Sequence, residues 1–482
     1  MSQQQTGLVK TFGLYTAFLL VAGSMIGSGV FKKVAPMTAE LGSPWLVLAA
    51  LLAAGLISLL GALTNAEVAG LIAEPGGQYA YFKKMYGKPF SFIYGWSMMS
   101  VVQTATAASV AYVFAESLNA LLAPYGGLPR LGPEWEAHTY GAAPFLFTPF
   151  ANLGVKFVTI GLLLTLTAIN YIGVRWGGLV LQILASSVIT CIIAIILLCM
   201  SLGHGSFEHL ATPAAVPVEK QHGLGFVGAF FAAMMAAFWS YEGWNTVGFL
   251  GGEIKNPYKN IPRALTYGTL FVISLYMLVN FAYLFVLPAE NFVAIHLAEN
   301  QIAAVEVVRS FMGAGGALFI LVLIMMSTFN STNTTIMGAP RIYYGMAKDG
   351  LFFKGAAKVH HKYRTPSNAL LIQGIWGSIL VLTGSFDQLT DMLIFAAFIF
   401  YGAGAYGVFV LRRKLKDVPR PYKVFGYPYV PAMFVIFCAA LVVVSIIEKP
   451  REAGIGTVLI LTGLPVYYYM RKKYKDNVWD EG

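Results

Sequence analysis

Apolar runs of roughly 18 residues or more recur along the whole length of this 482-residue chain. A bilayer core offers no water to peptide groups, so each buried segment must satisfy its own hydrogen bonds. The runs are too long for barrel strands, which leaves helices. Composition agrees: 57% of residues are hydrophobic and 11% charged, against about 25% charged in a soluble domain. The expected fold is an all-α polytopic membrane protein with about 12 transmembrane helices. These start near Phe12, Pro44, Phe90, Asn152, Gly178, Gly223, Arg263, Gly315, Asn368, Gln388, Tyr429 and Gly454. The polar start MSQQQTGLVK is followed by no small-residue cleavage site, so no removable leader is expected.

The net charge of +10 could suggest a nucleic-acid partner, but the placement of the basic residues argues against one. If the chain starts on the cytoplasmic side, 24 of the 32 Lys and Arg fall on that side. The positive-inside rule then predicts both termini in the cytoplasm and an even number of spans. No nucleic-acid partner is expected. The three cysteines, Cys191, Cys199 and Cys438, all lie in apolar spans and imply no disulfide framework. The histidines are scattered through loops without metal-ligand spacing, so no metal and no cofactor are expected. Asn330-Ser-Thr332 and Asn333-Thr-Thr335 match a glycosylation pattern but sit within a span.

The connections are short apart from loops near 122–151, 203–222 and 288–312, the last carrying the amphipathic EVVRSF. Residues 1–482 read as one membrane domain.

Two spans carry a break. The first holds GSMIGSG, with three glycines and two serines between Gly23 and Gly29. Each glycine costs a helix interior about 1 kcal/mol, so unwinding there is cheap. The sixth is interrupted by Phe238-WSYEGW-Asn245. The two breaks are five spans apart. Five is odd, so the halves enter the membrane in opposite senses, the pattern of a 5+5 inverted repeat with discontinuous helices 1 and 6. Repeat one would cover about 12–202, repeat two about 223–411, with two extra helices over about 429–470.

Unwound backbone inside a membrane is tolerable only against a cavity or a ligand. The N–H groups of Gly27-Ser28-Gly29 begin a half-helix, whose positive end attracts a carboxylate. Trp239-Ser240-Tyr241-Glu242-Gly243 would offer free carbonyls to an ammonium. Together they form a clamp for the zwitterion of an α-amino acid. The plainer alternative for GSMIGSG is a small-residue packing face between helices.

The segments GSMIGSGVF, EPGGQYAYFKKMYG, FWSYEGWNTVGFLGGEIKNPYKNIPRA and LRRKLKDVPRPYKVFGYPYVP closely resemble the amino acid–polyamine–organocation transporters, in particular their L-type amino acid transporter branch. The resemblance runs over nearly the whole chain. It implies that Gly27, Ser28 and Gly29 bind the substrate carboxylate and that carbonyls of Trp239, Ser240 and Glu242 bind its amino group. It also implies that Met25 and Ile26 line the same turn, and that Trp239 is an aromatic gate over the substrate. An ordinary packed aromatic is the alternative for Trp239.

Three departures from the family matter. The region where the branch often carries a lysine near a sodium position reads Leu184-ASSVI-Thr190. The outer loop after span three lacks the cysteine that joins animal members to a heavy chain, so no disulfide-linked heavy chain is predicted and a bacterial inner membrane is expected. Glu242 stands where the family shows Gly or Asp. An acid at mid-membrane is a functional candidate, as a proton site or a counter-ion for a basic substrate. Alternatively only its backbone carbonyl matters.

Other candidates are weaker. Glu67 reads as a structural partner of a backbone amide or a basic loop residue. Ser327, Thr328 and Ser331 in span eight are possible coupling residues whose hydroxyls could coordinate sodium together with carbonyls of the first break, or simply pack helices. Asn245 could contact a substrate side chain, and Gln103 and Thr104 could line the pocket. Lys32 and Lys33 should face an outer vestibule, to attract anionic groups or simply snorkel, and Glu253, Lys255 and Lys259 should form a cytoplasmic loop that pairs charges in one conformational state.

The expected function is secondary transport of L-amino acids, with neutral ones favoured, by alternating access and sodium-independent exchange. Proton- or sodium-coupled symport, or a cationic amino acid or polyamine carrier, is the alternative. No convergent nucleophile and base is visible, so no enzyme is expected. A channel would need a ring of filter residues, which the sequence does not show.

Overall fold

The first apolar run folds as two helices, because its glycines and serines release the backbone before the run is finished. The computed structural model describes residues 10–72, 74, 76–140, 148–215, 225–298, 301–383 and 386–473. In it α1 (Leu14–Met25) stops at Ile26, whose ψ of 81° leaves the helical region. The chain resumes as α2 (Gly29–Lys32) and α3 (Val34–Leu41). Then come α4 (Pro44–Leu71), with proline in its first turn, α5 (Gln78–Tyr86) and α6 (Lys88–Ser97). A π-helical turn, Met98–Val102, leads into α7 (Gln103–Leu122). A short α8 (Pro133–Glu136) lies in the following loop, before α9 (Leu153–Ile172), α10 (Val174–Leu202) and the short α11 (Phe207–Ala211).

The second break repeats the first. Helix α12 (Gly225–Tyr241) ends, four residues turn, and α13 (Thr246–Phe249) restarts. Next are α14 (Pro257–Val286), α15 (Ala289–Leu297) and α16 (Ala303–Gly338). Gly313, at φ 60° and ψ −149°, separates the amphipathic EVVRSF turn of α16 from its apolar part. The span therefore begins near the expected Gly315. The rest is α17 (Pro340–Lys348), α18 (Ser367–Thr383), α19 (Phe386–Lys414), α20 (Tyr429–Glu448), α21 (Pro450–Leu461) and α22 (Gly463–Lys473).

Among the described residues, nine helical stretches are long and apolar enough to cross a membrane, and three shorter apolar helices accompany them. Two of those three, Leu14–Met25 and Gly225–Tyr241, are short because the breaks cut them. The chain is an all-α polytopic membrane protein, and no β-strand occurs among the described residues.

The broken helices sit inside the bundle. Helix α4 packs along α14 and α7 along α16; α1 lies against α14, α16 and α10, and α12 against α4 and α3. Every residue of α1 from Leu19 to Met25 is buried. A glycine-containing helix with little side-chain bulk can occupy the centre because its neighbours, rather than its own propensity, hold it there.

Charged contacts gather several helix ends at one end of the bundle, the basic end. Arg341 pairs with Glu253 at 2.9 Å, with side chains 1% and 2% exposed. Thr11 and Phe12 donate their N–H groups to the Glu253 carbonyl, and Lys255 N–H returns a bond to Phe12. Lys83 pairs with Asp349 at 2.7 Å, and the Tyr79 hydroxyl donates to the same carboxylate at 2.7 Å. Burial first and the Asp349 charge second push the Tyr79 phenol well above its usual range, so it remains a donor.

Glu67 ties α4 to the end of α19 and to the loop beyond it. Its carboxylate accepts two bonds from Arg412, at 2.9 and 2.8 Å, and one from Val424 N–H at 2.8 Å. Arg420 stands 3.2 Å away. Both kinds of partner expected for Glu67 are present. Glu67→Ala should lower folded stability by roughly 2–3 kcal/mol. That is somewhat less than for a fully buried pair, because Arg412 is partly exposed. A thermal-melting comparison in detergent checks it, and an unchanged midpoint would contradict it.

Candidate functional site

Sequence chemistry at the first break leaves backbone groups that no helix satisfies. Helix α2 starts after Ser28 with no side-chain cap, and it runs into α3 through Lys33, which keeps helical φ and ψ. Gly27 N–H donates to the Met25 carbonyl at 2.9 Å and Phe31 N–H to the Ser28 carbonyl at 3.2 Å, so the N–H groups left at the start of this half-helix, residues 29–41, are those of Ser28, Gly29 and Val30. The second break presents the opposite polarity, the end of α12. Gly243, at φ +108°, makes the turn there. Its carbonyl lies 2.9 Å from the Ser24 hydroxyl, so the two breaks touch.

Between them lies a cavity of about 20 Å³, room for about one water. The first break contributes Ser24, Met25, Gly27, Ser28 and Gly29 to its wall, and the second Trp239, Glu242 and Gly243. Trp239 Nε1 donates to Ser28 Oγ at 3.2 Å, which lays the indole across the first break. Helices α7, α13 and α16 complete the wall with Gln103, Thr106, Thr246, Ser331 and Thr335. The wall is mixed: these polar groups share it with apolar Met25, Val110 and the Trp239 ring.

Several expected site residues lie outside this cavity. Ile26 turns away, and its carbonyl accepts from Ser327 at 2.9 Å. Ser240 backs onto Gly29, so it sets the spacing of the breaks. The Tyr241 ring packs tilted at 42° against Tyr276, with centroids 5.3 Å apart, and its hydroxyl lies beside Gly55 of α4. Asn245 donates to Gln78 Oε1 at 3.2 Å. Thr328 bonds back to the Ile324 carbonyl of its own helix at 2.7 Å. Thr104 likewise returns to the Met99 carbonyl, at 2.7 Å. The π-helical turn just before it shifts the register of α7, so Gln103 and Thr106 face the cavity instead.

Sequence reasoning missed two tyrosines. The Tyr276 hydroxyl lies 2.7 Å from the Met25 carbonyl and 3.1 Å from the Ser240 carbonyl, bridging the breaks from α14. Tyr401 of α19 donates to Glu242 Oε1 at 2.6 Å. A lone tyrosine in an apolar span carries no spacing signal for either role.

Carbonyls of the first break are met by donors of α16. Besides Ser327 on Ile26, Ser331 Oγ donates to the Ser24 carbonyl at 3.2 Å, and Asn330 Nδ2 lies 3.4 Å from the Gly23 carbonyl. Among the described residues no group of three or more His, Cys, Asp or Glu is placed to hold a metal ion.

The two ends of the bundle differ around this site. At the basic end the Arg341–Glu253 and Lys83–Asp349 pairs join helix ends. At the opposite end a vestibule of about 480 Å³ is lined by Lys32, Glu116, Arg130, Asn152 and Arg309. Lys32 pairs there with Glu116 at 3.0 Å.

Residues 12–470 match the family described as amino acid permease. The chain is 31% identical over 475 residues to the serine/threonine exchanger SteT of Bacillus subtilis, covering 98% of this chain and 99% of that one. It is 29% identical over 462 residues to the large neutral amino acids transporter small subunit 2 of Homo sapiens, covering 96% and 80%. It is 28% identical over 481 residues to the b(0,+)-type amino acid transporter 1 of Homo sapiens, covering 98% and 89%.

Proposed function

We propose, from the premise that this chain belongs to the amino acid permease family, that it exchanges small neutral L-amino acids across a cell membrane by alternating access without sodium. The observation that carries the reading is the paired arrangement of the breaks. An uncapped helix start and a helix end face one small cavity of mixed polarity. The first offers N–H groups to a carboxylate and the second carbonyls to an ammonium. In this reading Ser28 and Gly29 hold the carboxylate, the expected third donor Gly27 being bonded to the Met25 carbonyl at 2.9 Å, and carbonyls of Trp239 and Glu242 hold the amino group. Gln103, Thr106, Thr246 and Thr335 offer hydroxyls and an amide to a short polar side chain, and one relative is named a serine/threonine exchanger. A cavity of one water cannot yet hold a substrate. Trp239 must therefore swing from Ser28 when substrate enters.

Sodium independence rests on the capped carbonyls. Ser327, Asn330 and Ser331 supply N–H and O–H donors to the oxygens of Ile26, Gly23 and Ser24. A cation at that place would have to displace those donors. Both termini are read as cytoplasmic, the two five-helix halves, about 12–202 and 223–411, as inverted repeats, and the chain as working without a disulfide-linked partner.

The test is counterflow of labelled L-serine into proteoliposomes in sodium-free buffer without a pH gradient. Uptake is expected only when unlabelled amino acid is inside. Uptake that instead follows an imposed sodium or proton gradient, with no need of internal amino acid, would overturn exchange.

A second reading is favoured by the contact of Tyr401 with Glu242. A buried carboxylate held by a neutral donor keeps an oxygen for a basic side chain or a proton. Glu242→Gln separates the two readings. Unchanged L-serine exchange is expected if only the backbone carbonyl matters. Loss of L-arginine uptake or of proton-driven uptake would support the second.

A further inference from the structure

The apolar spans α19 and α20 pack together, yet at the basic end they leave a groove between them of about 480 Å³. Phe409, Val410, Val435 and Ile436 line it, and Arg413 and Lys414 close one end. Both helices are long and apolar enough to cross a membrane, and Tyr406 and Ile436 beside the groove are 53% and 69% exposed. The groove therefore opens to lipid. Arg413 follows Phe409 by four residues and Val410 by three, so all three share a helix face.

The charges at its mouth are distributed unevenly. Arg412 is committed inward, paired with Glu67 and stacked 3.6 Å from the Tyr427 ring. Arg413 is exposed and enters no ion pair among the described residues. Lys414 gives one bond to the Met85 carbonyl at 3.0 Å, leaving two ammonium hydrogens. Lys416 and Lys423 are exposed on the loop that follows, with Asp417 the one acid among them. Exposed Phe425 and Tyr429 place aromatic rings at the same level, as at a membrane interface.

We propose that this groove is a binding site for one anionic phospholipid. Its acyl chain would run along Phe409, Val410, Val435 and Ile436, and its phosphate would sit on Arg413 and Lys414. A guanidinium suits a phosphate through two parallel bonds, the ammonium adds a point charge, and apolar walls accept only a hydrocarbon. Basic pockets between spans on the cytoplasmic side select lipid head groups in this way. The site bears on transport because α19 also carries Tyr401, which holds Glu242. A lipid wedged between α19 and α20 would fix the helix that reaches the cavity.

Native mass spectrometry of the detergent-purified chain, titrated with phosphatidylglycerol or with phosphatidylcholine of the same acyl chains, tests this. One retained phosphatidylglycerol is expected, and little phosphatidylcholine. Arg413→Gln and Lys414→Gln should each weaken retention about fivefold, from roughly 1 kcal/mol per charge. Val435→Trp, which fills the groove but leaves the charges, should also displace the lipid. Equal retention of the two lipids, or binding unchanged in all three variants, would overturn the proposal. So would disulfide-linked dimers of Ile436→Cys forming at the expense of lipid, which would show that a second copy covers the groove. Melting temperatures of the variants in phosphatidylcholine should match the parent, since Arg413 and Lys414 are exposed.

Discussion

Gly29→Ala should reduce L-serine exchange by roughly 100-fold while the chain still inserts and folds. A Cβ built at Gly29 would lie 2.6 Å from the Cα of Ser240 and closer still to its hydroxyl oxygen. The obstruction includes backbone, so no side-chain rotation relieves it. The first break would have to move away from the second by several tenths of an ångström or more. Overpacking of this kind costs about 1–3 kcal/mol, which a folded bundle can survive. The site cannot absorb it so easily. The N–H groups proposed to hold the carboxylate and the carbonyls proposed to hold the amino group stand on opposite sides of the same contact, and a misplacement near 1 Å can cost about 100-fold in a positioned reaction. Counterflow in proteoliposomes, normalised to monodisperse reconstituted protein, provides the measurement. Ser240→Gly in the same chain should recover part of the activity by removing the side chain that Gly29 meets. Exchange at the parental rate in Gly29→Ala would remove the close packing of the breaks from the mechanism.

The second large effect is expected at the basic end. Arg341 and Glu253 are almost fully buried and lie 2.9 Å apart. Removing one partner of such a pair strands the other charge, at about 3–5 kcal/mol. Arg341→Ala should therefore either unfold the closed conformation or tip the molecule toward one open at this end. The tether at stake is concrete. Glu253 also holds Thr11 and Phe12 through its carbonyl, while Arg341 begins the short helix that carries Asp349 toward Lys83. A cysteine at Thr246, on the cavity wall, should become reactive to a membrane-impermeant thiol reagent from the basic side in Arg341→Ala but not in the parent. The double variant Arg341→Met, Glu253→Leu should restore much of the thermal stability, since an apolar pair replaces the ions. If it also restores the parental pattern of reactivity, the pair is merely structural. If reactivity persists, the pair acts as a gate.

Much of the fold could be read from the residues. Length and apolarity of the runs dictate helices, because a bilayer permits nothing else for them. The interruption of the first and sixth spans follows from local chemistry: Gly23, Ser24, Gly27, Ser28 and Gly29 cannot hold a helix without help, and Gly243 reaches a φ of +108° that other residues resist. Gly313 shows the same logic in ending the amphipathic turn before its span.

Which side chain faces the cavity was a different kind of question. Tyr241 and Asn245 sit in the same break as Glu242, yet Tyr241 packs beside Gly55 and Asn245 bonds Gln78. Their directions depend on a φ angle and on helices that are distant in sequence. Thr104 and Thr106 differ by two positions, and a π-helical turn decides between them, a register shift that no hydropathy pattern records. Tyr276 and Tyr401 reach the breaks from α14 and α19, with 251 residues separating Tyr276 from Met25 and 159 separating Tyr401 from Glu242.

The residue order thus set which segments are long and apolar enough to cross a membrane and where they must unwind. These are local properties, fixed by hydration and by backbone sterics within a few residues. The partners of the unwound groups came from packing. Ser327, Asn330 and Ser331 reach the first break, and Tyr276 bridges both, only because the bundle brings α16 and α14 against α1. Such contacts depend on the relative rotation of whole helices, which is a property of their fit rather than of any one segment.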